Sequence, residues 1–351
     1  MGEKKRMFKS KTARPIVNVN DITHEQWLQY RKRGIGGSEA APMAGLGNKK
    51  YNSKLKIYQD KLSTIVDINP PSEAAEMGHI MEPVIRDVFK QKNPQYKVYR
   101  SNFMWQSLEA PFVLANVDGL IYCKEKGWGV LEIKNMSEYR NGEFGDEEIP
   151  IEFQIQMSHY LYCLGLDWGV FAVFIGGNKY REFFIKRNDE LIKSLIKIEQ
   201  HFWNYHILQR IPPEPDGSPA SKAVLEELYS VADAKKKDDI LTLPQDVKGL
   251  TEAFQFYKAE EQKMAEKKEE AKQQLQVLLG EYQTAQVEGD TKKIHWSFKK
   301  AFDAVKLREA QPELYEKYTK PTFDATAFKK AYPKIHKEFM IETNSRTFNY
   351  K

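Results

Sequence analysis

A chain of 351 residues, 41% of them hydrophobic, is long enough for one large domain or two ordinary ones and has the composition of a globular protein. Its 54 basic and 49 acidic side chains leave a net charge of +5, which permits nucleic-acid binding without demanding it. No stretch approaches the roughly 20 apolar residues of a membrane-spanning helix, and the two cysteines, Cys123 and Cys163, lack a zinc-ligand pattern and fit a reducing cytoplasm.

Residues 1–20 carry Lys4, Lys5, Arg6, Lys9 and Lys11 with no apolar core behind them, so they read as a basic disordered arm rather than a signal peptide. From 21 to 219 helical and strand patterns alternate, which predicts an α/β core with a mixed sheet. Residues 24–33 read as a short helix capped near Asp21 or Thr23. It leads into the loop Gly34-Ile-Gly-Gly-Ser38 and a second helix through Met43. The glycine loop lacks the Gly-Lys-Ser/Thr of a Walker motif and follows no strand, so it is not a dinucleotide fingerprint either. Its glycines instead let backbone N–H groups approach a phosphate at a helix N-terminus. Ser72 reads as the N-cap of a helix to about Gln91, with Met77, Met81, Val84, Ile85 and Val88 on one face and Glu82 at its edge.

Residues 112–123 and 128–134 are rich in β-branched and aromatic side chains, and Lys124-Glu-Lys-Gly127 between them supplies a hairpin turn. A turn centred between Glu125 and Lys126 places Asp118 opposite Ile133 or, with a one-residue bulge, Glu132. Side chains alternate along a strand, so Glu132 and Lys134 share one face while Ile133 points to the other. Two carboxylates and an ammonium then converge. Hard oxygen ligands from Asp118 and Glu132 suit Mg²⁺ or Mn²⁺, and Lys134 lowers the cost of forming hydroxide nearby. Glu-x-Lys alone is a common surface ion pair; the aspartate at hairpin distance makes the pattern a candidate metal-dependent nuclease site.

Pro150 stands where a helical turn would begin, and Phe153, Met157, Tyr160, Leu161 and Leu164 form the apolar face of the helix that follows. Gln156 and Tyr160, four apart, lie on one side of it. Residues 170–175 and 180–185 form a second hairpin around Gly176-Gly177-Asn178. Asn188 caps a long helix through Glu199 to Leu208, and the Pro-rich run 211–219 ends the domain.

Beyond it, 220–285 reads as a linker and a long amphipathic helix. Leu250, Phe254, Tyr257, Met264, Ala271, Leu275 and Leu278 alternate at spacings of three and four, interrupted by Glu261 and Lys268, and predict packing along one stripe. Residues 286–351 form a small module containing an internal repeat with a period of 21, in which Phe302-Asp-Ala304 with Pro312 recurs as Phe323-Asp-Ala325 with Pro333. Each copy reads as a capped helix ending in a Pro-led second turn, either a structural cap or a grip for DNA or a protein partner.

Six motifs in order give the chain a resemblance over 27–211. They are Trp27-Leu28 with Arg31, Gly34-Ile-Gly-Gly-Ser-Glu-Ala-Ala41, Gly78-His-Ile-Met-Glu-Pro83, Ala115-Asn-Val-Asp-Gly-Leu120, Gly129-Val-Leu-Glu-Ile-Lys134 and Gln154-Ile-Gln-Met-Ser-His-Tyr160. Together they resemble the YqaJ-type viral recombinase family, within the PD-(D/E)xK nucleases that include the phage lambda exonuclease. The resemblance implies an α/β, PD-(D/E)xK restriction-endonuclease-like core, with a central mixed sheet flanked by helices and a helical C-terminal extension.

It also implies roles. Asp118 and Glu132 would be metal ligands with the backbone carbonyl of Ile133, Glu82 would complete the metal site, and Lys134 would orient and activate the attacking water. Gln156 and Tyr160 would contact the scissile phosphate or that water. Arg31 and Ser38 would bind a 5′-terminal phosphate, with Arg33 a second candidate. Val117 departs from the general motif, which has proline there.

The implied function is a phage- or prophage-encoded, cytoplasmic, Mg²⁺-dependent exonuclease that degrades linear duplex DNA from the 5′ end. Mn²⁺ would be a substitute metal. The product would be a 3′ overhang for a single-strand annealing protein, and a trimer is the assembly that the resemblance suggests. A structure-selective endonuclease or nickase on the same site is the first alternative. A non-catalytic DNA-end-binding scaffold is the second.

Overall fold

Alternation of apolar side chains along the strands builds two sheets in the first of the chain's two units, Met1–Tyr229; the second is Ser230–Lys351. The computed structural model describes residues 8–65, 72–145, 148–229, 240–298, 301–319 and 322–340. In chain order the first unit runs β1 (Ala13–Asn18), α1 (His24–Arg31), β2 (Ile35–Gly36), α2 (Gly37–Met43), α3 (Lys54–Leu62), α4 (Glu73–Lys92), β3 (Lys97–Arg100), β4 (Phe103–Ser107), β5 (Val113–Ala115) and β6 (Gly119–Cys123). It continues with β7 (Gly127–Met136), α5 (Ile151–Leu164), β8 (Trp168–Ile175), β9 (Lys179–Lys186), α6 (Asp189–His201) and α7 (Pro219–Leu228). Its described strands form a five-stranded sheet, β3-β6-β7-β8-β9, and a four-stranded sheet, β1-β4-β5-β2. Both are mixed, since β7–β8 and β2–β5 are parallel and the remaining pairs antiparallel.

Strand β7 shows how the layers form. Leu131 and Ile133 point to one face, where Ile85 and Phe89 of α4 cover them. Val130 points to the other, into the cluster of Phe153, Met157 and Leu161 from α5 with Phe171 and Val173 from β8. Phe89 and Phe171 are fully buried, each stabilising by about 1.5–3 kcal/mol relative to exposure. Helix α5 also packs on Val113 and Ala115 of the smaller sheet, so it joins the two sheets and carries site residues between them.

Local chemistry sets the ends of these elements. Thr23 and Gln26 form a reciprocal capping box at α1, and Ser72 and Asn188 cap α4 and α6. Gly165, at φ 66°, ends α5 in the left-handed region. The β6–β7 hairpin differs in register from the sequence expectation. Gly127, at φ 72°, closes a three-residue loop, pairing Cys123 with Gly127 and Gly119 with Leu131. Continuing that register sets Asp118 opposite Glu132 with no bulge.

Two boundaries also differ. Residues 13–18 are not a disordered arm but strand β1, paired antiparallel with β4. Phe8 packs edge-on against Trp105 and Trp128, while the Ser10 and Thr12 hydroxyls donate to the carbonyls of Leu164 and Cys163 at the end of α5. Lys4, Lys5 and Arg6 lie outside the described residues. The first unit reaches past 219, because α7 docks through the Ser221 hydroxyl on that of Ser53. After His201, α6 continues as a π-helical segment, Phe202–Ile207.

In the second unit α8 spans Lys248–Leu279, and its stripe residues Leu250, Tyr257, Leu275 and Leu278 are exposed. A hairpin pairs β10 (Thr284–Gln286) with β11 (Lys293–His295). The repeat appears as two helix pairs, α9 (Ala304–Ala310) with α10 (Pro312–Tyr318) and α11 (Ala325–Ala331) with α12 (Pro333–Glu338), each begun by an aspartate cap at Asp303 or Asp324. No described helix is long and apolar enough to cross a membrane.

Candidate active site

The end of the β6–β7 pairing creates the site. Beyond Leu131, β7 continues against β8 alone, leaving its other edge open. The Ile133 N–H uses that edge to donate to Asp118 Oδ2 at 2.7 Å, where a ladder partner would otherwise stand. In an extended strand a residue's C=O leaves on the same side as its N–H, so the Ile133 carbonyl leaves by the same edge.

Glu132 points to the α5 face, buried to 3% exposure. Its Oε1 accepts from Lys134 Nζ at 3.0 Å and from Gln156 Nε2 at 2.7 Å, and the same amide nitrogen of Gln156 lies 3.1 Å from Tyr160 Oη. Glu132 Oε2 is buried with no protein partner. Burial, then the nearby Glu132 charge, pushes the Asp118 carboxyl well above its ordinary range. Burial likewise raises Glu132, against the pull of Lys134. For Lys134 burial favours the neutral amine, but Glu132 and Asp118 outweigh it, so the group is held as an ammonium.

A hard divalent cation fits this arrangement. Glu132 is buried beside the partly buried Asp118, one Glu132 oxygen lacks a protein partner, and the Ile133 carbonyl leaves by the adjoining strand edge; a cation would neutralise the carboxylates and partner the free oxygen. Glu82 does not join them in the present arrangement: it is ion-paired with Arg86 one turn along α4, and among the described residues no three His, Cys, Asp or Glu side chains converge on one metal position.

A second cluster lies at the glycine loop. Arg31 Nη2 donates to Ser38 Oγ at 3.1 Å, and both residues line a cavity of about 810 Å³. The buried Lys61 ammonium holds the arginine's mount. It donates to the Arg31 carbonyl and to both oxygens of Glu39 at 2.8 Å, while Glu39 also accepts from the Gly36 N–H at 2.7 Å and pairs with Arg31 at 3.4 Å. Burial works to raise the Glu39 pKa, but Lys61 and then Arg31 win and hold it below the usual carboxylate value. Arg33 does not join the cluster; its guanidinium lies over the Tyr30 ring at 4.4 Å.

The two clusters meet at Tyr160. Arg31, Gly36, Gly37, Ser38, Asn116 and Tyr160 line one small cavity, and a Cβ on Gly37 would fall 2.5 Å from the Tyr160 ring. Gly37→Ala is therefore expected to cost about 1–3 kcal/mol of stability, the usual range for overpacking, and to reduce activity by displacing Tyr160 from Gln156. Denaturant unfolding and rate measurements check this; a variant with wild-type stability would show that the ring moves freely.

Reasoning from sequence missed Arg86, the Glu39–Lys61 pair and the buried His159–Glu199 pair. Arg86 carried a signal, standing four residues after Glu82 on a helix. Lys61 and Glu199 carried none, because their partners are distant in sequence.

Comparison with known proteins places this geometry in a family. A model described as the YqaJ-like viral recombinase domain matches residues 26–167. An uncharacterized protein, YqaJ of Bacillus subtilis (strain 168), is 31% identical over 319 residues, covering 89% of this chain and 96% of its own length. Among solved structures, an alkaline exonuclease from Laribacter hongkongensis aligns with a TM-score of 0.42 at 19% identity, covering 58% of this chain and 95% of its own. A phage related exonuclease from Haemophilus somnus 129PT aligns with a TM-score of 0.37 at 12% identity, covering 51% of this chain and 96% of its own.

Proposed function

Because the chain belongs to the YqaJ-like viral recombinase family, we propose that it is a Mg²⁺-dependent exonuclease that degrades linear duplex DNA from the 5′ end and leaves 3′ overhangs for a single-strand annealing protein. Mn²⁺ is a candidate substitute. The observation that carries the reading is the buried Glu132 beside Asp118, with its partnerless oxygen and the adjoining Lys134 ammonium.

Asp118, Glu132 and the Ile133 carbonyl would hold the cation, which when bound polarises a phosphate oxygen and lowers the proton affinity of water. The protein's own groups do the rest. Lys134, held protonated, is a hydrogen-bond donor rather than a base, so it stabilises negative charge developing on the attacking oxygen. Gln156 fixes the orientation of Glu132 by donating to Oε1 and links it to Tyr160. Arg31 and Ser38, already hydrogen-bonded to each other, would receive the terminal phosphate.

The decisive comparison uses 5′-phosphorylated linear duplex, its 5′-hydroxyl counterpart and closed circular plasmid, each with Mg²⁺. Mononucleotide release from the phosphorylated linear DNA, with Arg31→Ala losing the preference for phosphate by about tenfold or more, the scale of a charge-assisted hydrogen bond, is the expected result. Cutting of the circle would mean an endonuclease instead, and binding without cutting a scaffold. An annealing partner would be recovered by pull-down with the full chain in the presence of the overhang product; recovery of none would remove that part of the reading.

A further inference from the structure

Arg86 links Glu82 to the backbone beside the catalytic carboxylates. Its guanidinium pairs with Glu82 and also reaches the backbone carbonyl of Asp118 at 3.3 Å, bridging α4 to the entry of β6. Its side chain is 9% exposed, and its Nε is buried with no partner. An arginine offers five donors, and this one is buried only partly satisfied. Of the three carboxylates, Asp118 and Glu132 adjoin each other where the β6–β7 pairing ends, and Glu82 is held by a resident cation.

We propose that Arg86 is the built-in counter-ion of the metal-free site: it holds Glu82 away from Asp118 and Glu132, and a divalent cation entering between those two competes with it for Glu82. The proposal rests on the metal-dependent reading above and adds a residue to it. The competition follows from charge. A cation at Asp118 and Glu132 attracts the Glu82 carboxylate and repels the Arg86 guanidinium, so each cation at the site weakens the other's hold. Arg86 is a positioning residue; it sets how readily Glu82 is released, and its removal should make cation binding tighter rather than looser. A merely structural arginine would not have that effect.

Isothermal titration of Mg²⁺ into the full chain without DNA tests this. Arg86→Met is expected to bind Mg²⁺ about fivefold more tightly than wild type, the lower end of ordinary coupling between two sites. Glu82→Gln should bind more weakly, and Glu82→Gln with Arg86→Met should lose the gain, because no carboxylate is left to release. Should Arg86→Met fail to fold, Arg86→Lys serves: it keeps the charge but is too short to span Glu82 and the Asp118 carbonyl, and it should still tighten binding. Unchanged or weaker affinity in the folded Arg86 variants, alongside binding by wild type that Asp118→Asn abolishes, overturns the role of Arg86 and leaves the metal reading standing. Absence of binding by wild type overturns both.

Discussion

Glu132→Gln is expected to lower DNA cleavage by about 10³-fold or more, roughly 4 kcal/mol of transition-state stabilisation, and to make the metal-free protein more stable. The two effects come from one cause. The amide oxygen can still accept from Lys134 and Gln156, so the local geometry is retained, while the negative charge that would face a cation is gone. In the metal-free protein that charge is a burden, because burial raises the pKa of both Asp118 and Glu132 and the Glu132 charge raises that of Asp118 further.

The sign of the pH dependence follows. A carboxyl whose pKa is raised on folding stabilises the fold while it is protonated, and that contribution is lost as pH rises through the raised value. Metal-free wild type should therefore lose stability as pH climbs above the ordinary aspartate value of 3.8 through the elevated range of Asp118, and Mg²⁺ should restore it increasingly toward high pH. Near neutral pH the glutamine variant should melt about 2–4 °C above wild type without metal, the shift that about 1 kcal/mol gives a unit of this size. Melting curves with and without Mg²⁺ at pH 5 and pH 8 decide it. A variant that melts below wild type in the absence of metal would sink the account of the pair as mutually repelling.

What could be read from the sequence divides along physical lines. The alternation in β7 told which side chains of Glu132, Ile133 and Lys134 share a face, because a strand has a fixed period of two. Thr23, Ser72 and Asn188 announced helix starts through their own hydroxyl and amide chemistry. Legibility failed where long-range partners decide. The charge of the N-terminal segment concealed β1, whose placement depends on β4 and on the last carbonyls of α5, both distant in sequence. The hairpin register turned on one left-handed glycine, Gly127, and the sequence marks the turn without fixing its centre. Glu82 was legible as a glutamate at a helix edge, but Arg86 and the Asp118 carbonyl together determine where it points.

The largest stability effect should come from a pair outside the chemistry. His159 and Glu199 are fully buried, with Nδ1 2.8 Å from Glu199 Oε1 and Nε2 2.9 Å from the Leu114 carbonyl. Both ring nitrogens lie against oxygens, so a doubly protonated imidazolium beside a Glu199 carboxylate satisfies both contacts. Burial works against that charge, but Glu199 outweighs it and raises the His159 pKa above its ordinary 6.5. The pair ties α5, with Gln156 and Tyr160 on it, to α6 and to β5 beside the glycine loop. Removing one member leaves a buried charge alone, so His159→Leu or Glu199→Leu should each cost about 3–5 kcal/mol. The double variant should recover most of that loss, because two apolar side chains desolvate without penalty. The pH dependence separates this from lost packing. A raised histidine pKa gives stability that is complete below 6.5 and fades as pH rises through the folded value, so the gap between wild type and the double variant should narrow toward alkaline pH. Urea unfolding of all four proteins at pH 6 and pH 9 measures both quantities. Additive losses in the double variant, or a gap indifferent to pH, would show that His159 and Glu199 act as separate packing residues rather than as an ion pair.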